Sequence, residues 1–120
     1  DGRGVKKGQE YAILTDEITK AWSGFSVKQY KQHKELKKEN LRDNMTNLEL
    51  VLNMLAEAST TEISKDKNPK SFEENKSVAR KGGEVAKAAR LQLESTTGKK
   101  VVTTQNAKSL QQVKNKEINK

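Results

Sequence analysis

Three capping boxes constrain this chain more than any other feature of its sequence. In a capping box, a Ser or Thr side chain accepts a hydrogen bond from the third residue of the following helix, and a Glu or Gln at that residue returns one. The pairs with this spacing are Ser26 with Gln29, Thr46 with Glu49, and Ser71 with Glu74. Each pair predicts the start of a helix, so we expect a mainly helical, all-α fold.

A further helix is predicted ahead of these boxes, over Glu10–Trp22. Its apolar residues recur every three or four positions, as on one helix face, and Gly24 provides a stop. A shorter helix that begins at Thr15 fits the same pattern. Residues 1–9 are rich in glycine and read as a linker or frayed end. The chain opens with Asp1 rather than Met, so we expect it to be a piece of a longer protein.

The two longest predicted helices should pack against each other as an antiparallel pair. The first runs from Asn47 to about Ser64, and we expect it to be the most buried helix because of its apolar residues Leu48, Val51, Leu52 and Leu55. After a loop at Pro69, the second runs from Phe72 to about Thr96 and stops at Gly98. Its inward positions carry mostly small side chains: Phe72, Asn75, Ala79, Gly82, Ala86, Ala89 and Leu93.

A pair of glycines, Gly82 and Gly83, lies inside the second of these helices. Each helical glycine costs about 1 kcal/mol relative to alanine, so something should offset the loss. A phosphate-binding loop would need a preceding strand and a Gly-Lys-Ser/Thr sequence, and the chain has neither here. We therefore expect close contact with another helix, or a local kink, rather than a ligand.

These elements predict a small bundle of about four to five helices over residues 10–104. A short extended segment near residues 100–104 fits their β-branched side chains, and residues 105–120 read as a polar, basic helix or tail. Apolar residues make up only 32% of the chain, which suffices for one thin core. We do not expect a large concave pocket in addition.

Composition excludes several kinds of chemistry. The chain has no Cys, which rules out disulfides, thiolate catalysis and Cys-based zinc sites. Its single His, His33, lies among lysines without further metal ligands at suitable spacing, so we expect an exposed residue, no cofactor and no enzymatic activity. No apolar run approaches the roughly 20 residues of a membrane span, and no signal-peptide pattern opens the chain. We expect a cytoplasmic protein without a membrane partner.

Basic residues are the remaining functional signal. The formal net charge of +8 favours polyanionic partners such as DNA, although a charge of about 2–8 is also normal for a soluble domain. Two predicted helical stripes carry much of it: Lys28, Lys31, Lys34 and Lys38 in the first, and Lys76, Arg80, Lys87 and Arg90 in the second. Such stripes neutralise phosphates in nucleic-acid complexes, but on most helices they are solvated faces.

An ordered series of short motifs occupies the chain between Tyr11 and Thr103. In chain order they are Trp22-Ser23-Gly24, Ser26–Lys31, Leu36–Thr46, Leu48–Leu50, Glu57–Ile63, Glu74–Lys76, Gly82-Gly83 and Val85-Ala86. Together they resemble the C-terminal half of the DNA-damage-inducible protein D family. Each motif alone is weak, whereas their order is specific.

The resemblance implies a full-length protein with an N-terminal domain like that of the phage antirepressor (BRO) family. It also implies a link to the SOS response, and action on a RecA recombinase filament on single-stranded DNA rather than catalysis. It supplies no established catalytic residues. We expect the partner contact in the most recognisable motif, which contains Lys37, Lys38, Asn40, Arg42 and Asp43. The first lysine stripe would give electrostatic support.

Two functions of different classes follow. In the first, the domain is regulatory and contacts a recombinase–DNA filament or DNA itself. In the alternative, it is a structural or oligomerisation domain, in which the small-residue face of the long helix pairs between protomers of a homodimer and another domain binds DNA. A hydrolase centred on His33 would need two carboxylates converging on that residue.

Overall fold

The computed structural model describes residues 2–111, with side chains from residue 7 onward. The helices are α1 (Gly2–Ser23), α2 (Val27–His33), α3 (Asn47–Lys67) and α4 (Phe72–Thr97), with a 3-10 turn at Arg42–Asn44 and a last helical turn at residues 107–111. Residues 2–111 contain no strand, which confirms the all-α class, and residues 101–104 form bends instead of the extended segment that we considered. α3 and α4 form the predicted long helix pair, joined by a short connection.

The predicted caps shape the ends of these helices. Ser26 and Thr46 form complete capping boxes. Ser71 accepts its bond from the backbone N–H of Glu74 at 3.1 Å, but the Glu74 carboxylate accepts from the N–H of Lys70 rather than from Ser71. α4 ends at Gly98, whose φ of 72° lies in the left-handed region that a glycine adopts without strain.

The start of α1 differs from the prediction. The helix begins at Gly2, so the linker expected over residues 1–9 is wrong for residues 2–9, while Asp1 lies outside the described residues. This stretch lacks the apolar periodicity that identifies a helix, but it also lacks proline. Once a helix is nucleated, each further residue adds one backbone hydrogen bond, and α1 extends in this way beyond its apolar face.

α4 is the central helix, and both α1 and α3 pack against it. A Cβ atom at Gly82 would lie 1.8 Å from Oγ1 of Thr60 on α3, and one at Gly83 would lie 2.4 Å from Cβ of Ala21 on α1. The two glycines therefore allow both neighbours to approach α4, which confirms the expected helix contact. Ala79 and Ala86 of the predicted inward face are buried as well.

The predicted inward face of α3 is wrong for three of its four residues. Leu48, Val51 and Leu55 are exposed, and Val51 retains 58% of its accessible surface. Leu52 is buried as predicted, together with Glu49 and Ala56. The small residues of α4 let α3 approach closely through its own small side chains, and this contact turns most of the bulky apolar residues of α3 outward.

The largest core side chains lie where α1 ends and α2 begins. Trp22 and Tyr30 are fully buried, with ring centroids 6.1 Å apart. Leu36 and Leu41, which follow α2, are buried too. Val101 closes this core from the C-terminal side.

Residues 107–111 of the predicted C-terminal helix or tail are helical, and residues 112–120 lie outside the described residues. None of the described helices combines the length and the hydrophobicity needed to cross a membrane.

Candidate functional site

The motif predicted to contact a partner lies on a loop between α2 and α3 whose ends are fixed. We call residues 35–45 the anchored loop. Leu36, Leu41 and Met45 are buried in the core, while residues 37–40, 42 and 43 are exposed. Within the loop, Nδ2 of Asn44 donates to the carbonyl oxygen of Asn40 at 2.8 Å. The loop therefore presents its polar side chains from a backbone that is held in place.

A buried ion pair joins the chain segments on either side of the anchored loop. Nζ of Lys34 lies 2.8 Å from Oε1 of Glu49, and both side chains have 0% exposure. The ammonium also donates to Oγ1 of Thr103 and to the carbonyl oxygen of Gln105, so all three of its donor positions are used. Tyr30 donates its hydroxyl to the same carboxylate. We call these five residues the Lys34–Glu49 network.

The network fixes the protonation state of its tyrosine and joins distant parts of the chain. Burial, and then the hydrogen bond to Glu49, raise the pKa of the Tyr30 phenol far above its usual value of 10.0, so the hydroxyl stays a donor. Asn106 donates to the carbonyl oxygen of Lys34 at 3.0 Å, and the N–H of Ala107 donates to Oδ1 of Asn44 at 2.8 Å. The C-terminal segment is thus fastened to α2 and to the anchored loop.

Lys34 corrects the first lysine stripe. We expected it at the surface beside Lys28 and Lys31, but its side chain is wholly buried and cannot reach a phosphate. Lys28, Lys37 and Lys38 are exposed, and none of their ammonium groups has an ion pair among the described residues. Three exposed lysines of α2 and the anchored loop therefore remain free to meet an anion.

The other polar residues of the motif are partly engaged. Arg42 pairs with Glu57 of α3 at 3.1 Å, in a contact that leaves both side chains about half exposed. Oδ1 of Asn40 accepts from the N–H of Asp43 at 3.1 Å. Arg42 thus joins the loop to α3, and Asn40 stabilises the turn that precedes it.

Two of the four residues of the second stripe pair with acidic residues of the same chain. Arg90 donates through Nε to the carbonyl oxygen of Trp22 at 2.7 Å and pairs with Glu94, with only 14% of its side chain exposed. Arg80 pairs with Glu17 at 3.5 Å. The predicted availability of Arg90 for nucleic acid is therefore wrong, since its guanidinium holds α1 against α4.

The remaining two members of that stripe differ from each other. The ammonium of Lys76 lies 5.8 Å from the ring centroid of Phe72. Lys87 is exposed and lines a shallow depression with Arg80, between α1 and α4. This depression is separate from the anchored loop, so the structure does not bring the two predicted stripes to one site.

A groove of about 510 Å³ lies beside the anchored loop, where we expected no large concave pocket. That expectation is wrong because α1 and α3 each pack on α4 and contact one another much less, which leaves space between them. The lining includes Leu14 and Ile18 of α1, Asn53 and Thr60 of α3, and Val78 and Ala79 of α4. Lys31, Asn40 and Arg42 line it at the end formed by α2 and the loop.

No pattern in the sequence predicts this groove. Leu14 and Ile18 carry the helical periodicity of ordinary core residues, and nothing in the pattern shows that their neighbours leave a gap. Asn53 was the one available clue, because a polar residue on the inner side of an apolar helix needs a partner. Its Oδ1 accepts from the indole N–H of Trp22 at 3.1 Å.

The acid–base residues do not converge within the described part of the chain. Residues 7–111 hold no group of three or more His, Asp or Glu side chains that could bind a metal ion. His33 is half-buried rather than exposed, and its ring stacks on Phe25 with centroids 5.0 Å apart.

Comparison with known proteins identifies a family. The family model described as the DinD C-terminal domain covers residues 1–113. Searches of curated proteins and of solved structures found no significant match.

Proposed function

Because the chain belongs to the DinD C-terminal domain family, we propose that it is a non-enzymatic regulatory domain of a DNA-damage response protein in the bacterial cytoplasm. It contacts a RecA-type filament on single-stranded DNA, or DNA itself, through the anchored loop. The observation that carries the proposal is that Lys37 and Lys38 are exposed, and have no ion pair with any described residue, on a backbone held by buried anchors at both ends.

The physical argument rests on preorganisation and charge. A loop whose backbone is already ordered loses little conformational entropy when it binds. Unpaired ammonium groups neutralise phosphates and release counterions, so such binding weakens steeply with salt. Lys28, on the preceding helix, is also exposed and has no ion pair among the described residues.

Fluorescence anisotropy with labelled single-stranded DNA, with and without RecA, tests this proposal across a salt series. We expect the double variant Lys37→Gln/Lys38→Gln to bind more weakly and with a shallower salt dependence than the native chain. The matched control is Lys99→Gln/Lys100→Gln, which removes the same charge from two other exposed neighbours. We expect this control to retain most of the binding.

Two outcomes would overturn the proposal. The first is no binding at low salt, with or without RecA. The second is an equal loss in the two double variants, because it would assign the effect to net charge rather than to the anchored loop.

An oligomerisation domain is the second candidate, and the exposed apolar residues of α3 favour it. The small-residue face of α4, which we first considered for pairing between protomers, packs against α1 and α3 within the same chain. A homodimer would use Leu48, Val51 and Leu55 instead. Light scattering distinguishes the candidates, because a stable dimer without affinity for DNA or RecA favours this second function.

A further inference from the structure

The groove between α1, α3 and α4 is large enough to hold side chains of another molecule. Its volume of about 510 Å³ lies within the range of about 300–1,000 Å³ that is typical of ligand sites. The α3 wall from Asn53 to Ser64 is about 16 Å long at 1.5 Å per residue. These dimensions suit a short peptide segment with two or three apolar side chains.

Two polar side chains of the groove walls form hydrogen bonds within the chain. Thr60 donates its hydroxyl to the carbonyl oxygen of Ala56 at 2.8 Å. Asn53 accepts from Trp22 and donates to Glu57 at 3.2 Å. The accessible surface of the groove is mainly apolar, so the walls offer mostly methyl groups and aliphatic side chains to an occupant.

The charges of the groove leave one group without a partner. Among the described residues, three charged side chains line it, and two of them, Arg42 and Glu57, pair with each other at 3.1 Å. The third, Lys31, has no ion pair or hydrogen bond from its ammonium among the described residues. Lys28 lies three residues earlier on the same helix and is exposed. The end of the groove at α2 is therefore positively charged.

We propose that this groove binds an acidic segment of a partner protein, with apolar side chains of that segment against Leu14, Ile18 and Val78 and its carboxylates beside Lys31. A peptide fits better than a nucleobase. Tyr11 is the one aromatic residue that lines the groove and it is 73% exposed, so the site offers little for base stacking. The proposal does not depend on phosphate contacts of Lys37 and Lys38, which lie outside the groove lining.

Trp22 provides a built-in reporter for the test. It is the only Trp in the chain, and its indole N–H bonds to Asn53 in the groove wall. The 120-residue chain, labelled with nitrogen-15, is titrated with an amphipathic peptide of about 12 residues that has Leu and Phe at helical spacing and Asp and Glu elsewhere. We expect the indole resonance and the amides of residues 14–18 and 53–61 to shift together.

Two variants with matched controls separate shape from charge. Thr15→Trp places a bulky ring on an exposed position of the groove wall and should weaken peptide binding at least tenfold, while Ser95→Trp, at an exposed position of α4 away from the groove, should not change it. Lys31→Glu should weaken binding about fivefold, the effect of one surface ion pair of about 1 kcal/mol. Lys81→Glu makes the same change in net charge at an exposed site outside the groove and should leave affinity unaltered.

Four results would overturn the proposal. One is the absence of shifts at about 1 mM peptide. Another is equal binding of a peptide that carries Lys in place of Asp and Glu. The third is a single-stranded oligonucleotide that produces the same Trp22 shift and is displaced by the peptide, which would make nucleic acid the occupant. The fourth is a Trp22 shift that depends on protein concentration alone, which would place a second copy of the chain in the groove.

Discussion

The seam between α3 and α4 and the Lys34–Glu49 network stabilise the same bundle through different chemistry. The seam places Gly82 of α4 against Thr60 of α3, with contacts that depend on the smallness of the side chains. The network buries two full charges and satisfies them with hydrogen bonds from several elements. Steric fit therefore holds one region, and a set of polar partners holds the other.

The difference shows which contacts can be predicted from local sequence patterns and which cannot. The small residues of the seam recur on one helix at three- and four-residue steps, so the sequence displays them as a face. Glu49 lies 15 residues from Lys34 and 54 residues from Thr103, and no spacing rule connects them. A lysine inside a lysine stripe looks the same in sequence whether it is solvated or buried.

The largest expected effect comes from breaking the network. We expect Lys34→Met to lower the free energy of unfolding by about 3–5 kcal/mol, because Met fills much of the space but leaves the Glu49 carboxylate buried without its counter-charge. Urea denaturation followed by Trp22 fluorescence measures this loss. The control is Lys37→Met at an exposed position, which should change stability by no more than about 0.5 kcal/mol.

A second substitution sharpens this test. Adding Glu49→Gln to Lys34→Met removes the unpaired charge, so the double variant should recover part of the stability lost by the single one. A Lys34→Met variant as stable as Lys37→Met would contradict the structural role that we assign to the network.

The next largest effect concerns the seam. We expect Gly82→Ala to destabilise the chain by about 2 kcal/mol, because the added Cβ would lie 2.6 Å from the backbone nitrogen of Thr60 and α3 would have to move. The higher helix propensity of alanine offsets only about 1 kcal/mol of this strain. Gly8→Ala is the matched control, since nothing lies within 4 Å of a Cβ there, and it should stabilise α1 slightly. Equal effects in the two variants would mean that the seam is not closely packed.

The same distinction explains how much could be predicted from the sequence. The caps at Ser26 and Thr46 were predictable because each depends on residues three apart. The inner face of α3 was not, because periodicity identifies apolar residues without showing which of them meets a neighbouring helix. The buried position of Lys34 and the groove both depend on how separate helices pack. The sequence therefore predicted the residues of the loop, but not the surface that surrounds them.

A smaller effect concerns Glu94 near the end of α4 and depends on pH. Burial is the strongest single influence on the Glu94 carboxyl and opposes its ionisation, but the bond from the N–H of Val101 and the charge of Arg90 together lower its pKa below the usual 4.5. A carboxyl whose pKa is lower in the folded state stabilises the fold above its unfolded pKa and loses that effect as the pH falls. We expect Glu94→Gln to cost about 0.5–1 kcal/mol at pH 7 and progressively less towards pH 3. A difference from the native chain that stays constant with pH would contradict the assignment.

The smallest expected effect tests the outward turn of α3. The sequence pattern would bury Val51, whereas the fold leaves 58% of it exposed, so we expect Val51→Lys to change the free energy of unfolding by less than about 0.5 kcal/mol. Its neighbour Leu52 is 3% exposed, and Leu52→Ala should cost about 2–4 kcal/mol in the same urea titration. Comparable losses in the two variants would mean that the apolar row of α3 is covered. If the loss in Val51→Lys also grew with protein concentration, a second copy would be covering it, because only an association equilibrium makes stability depend on concentration.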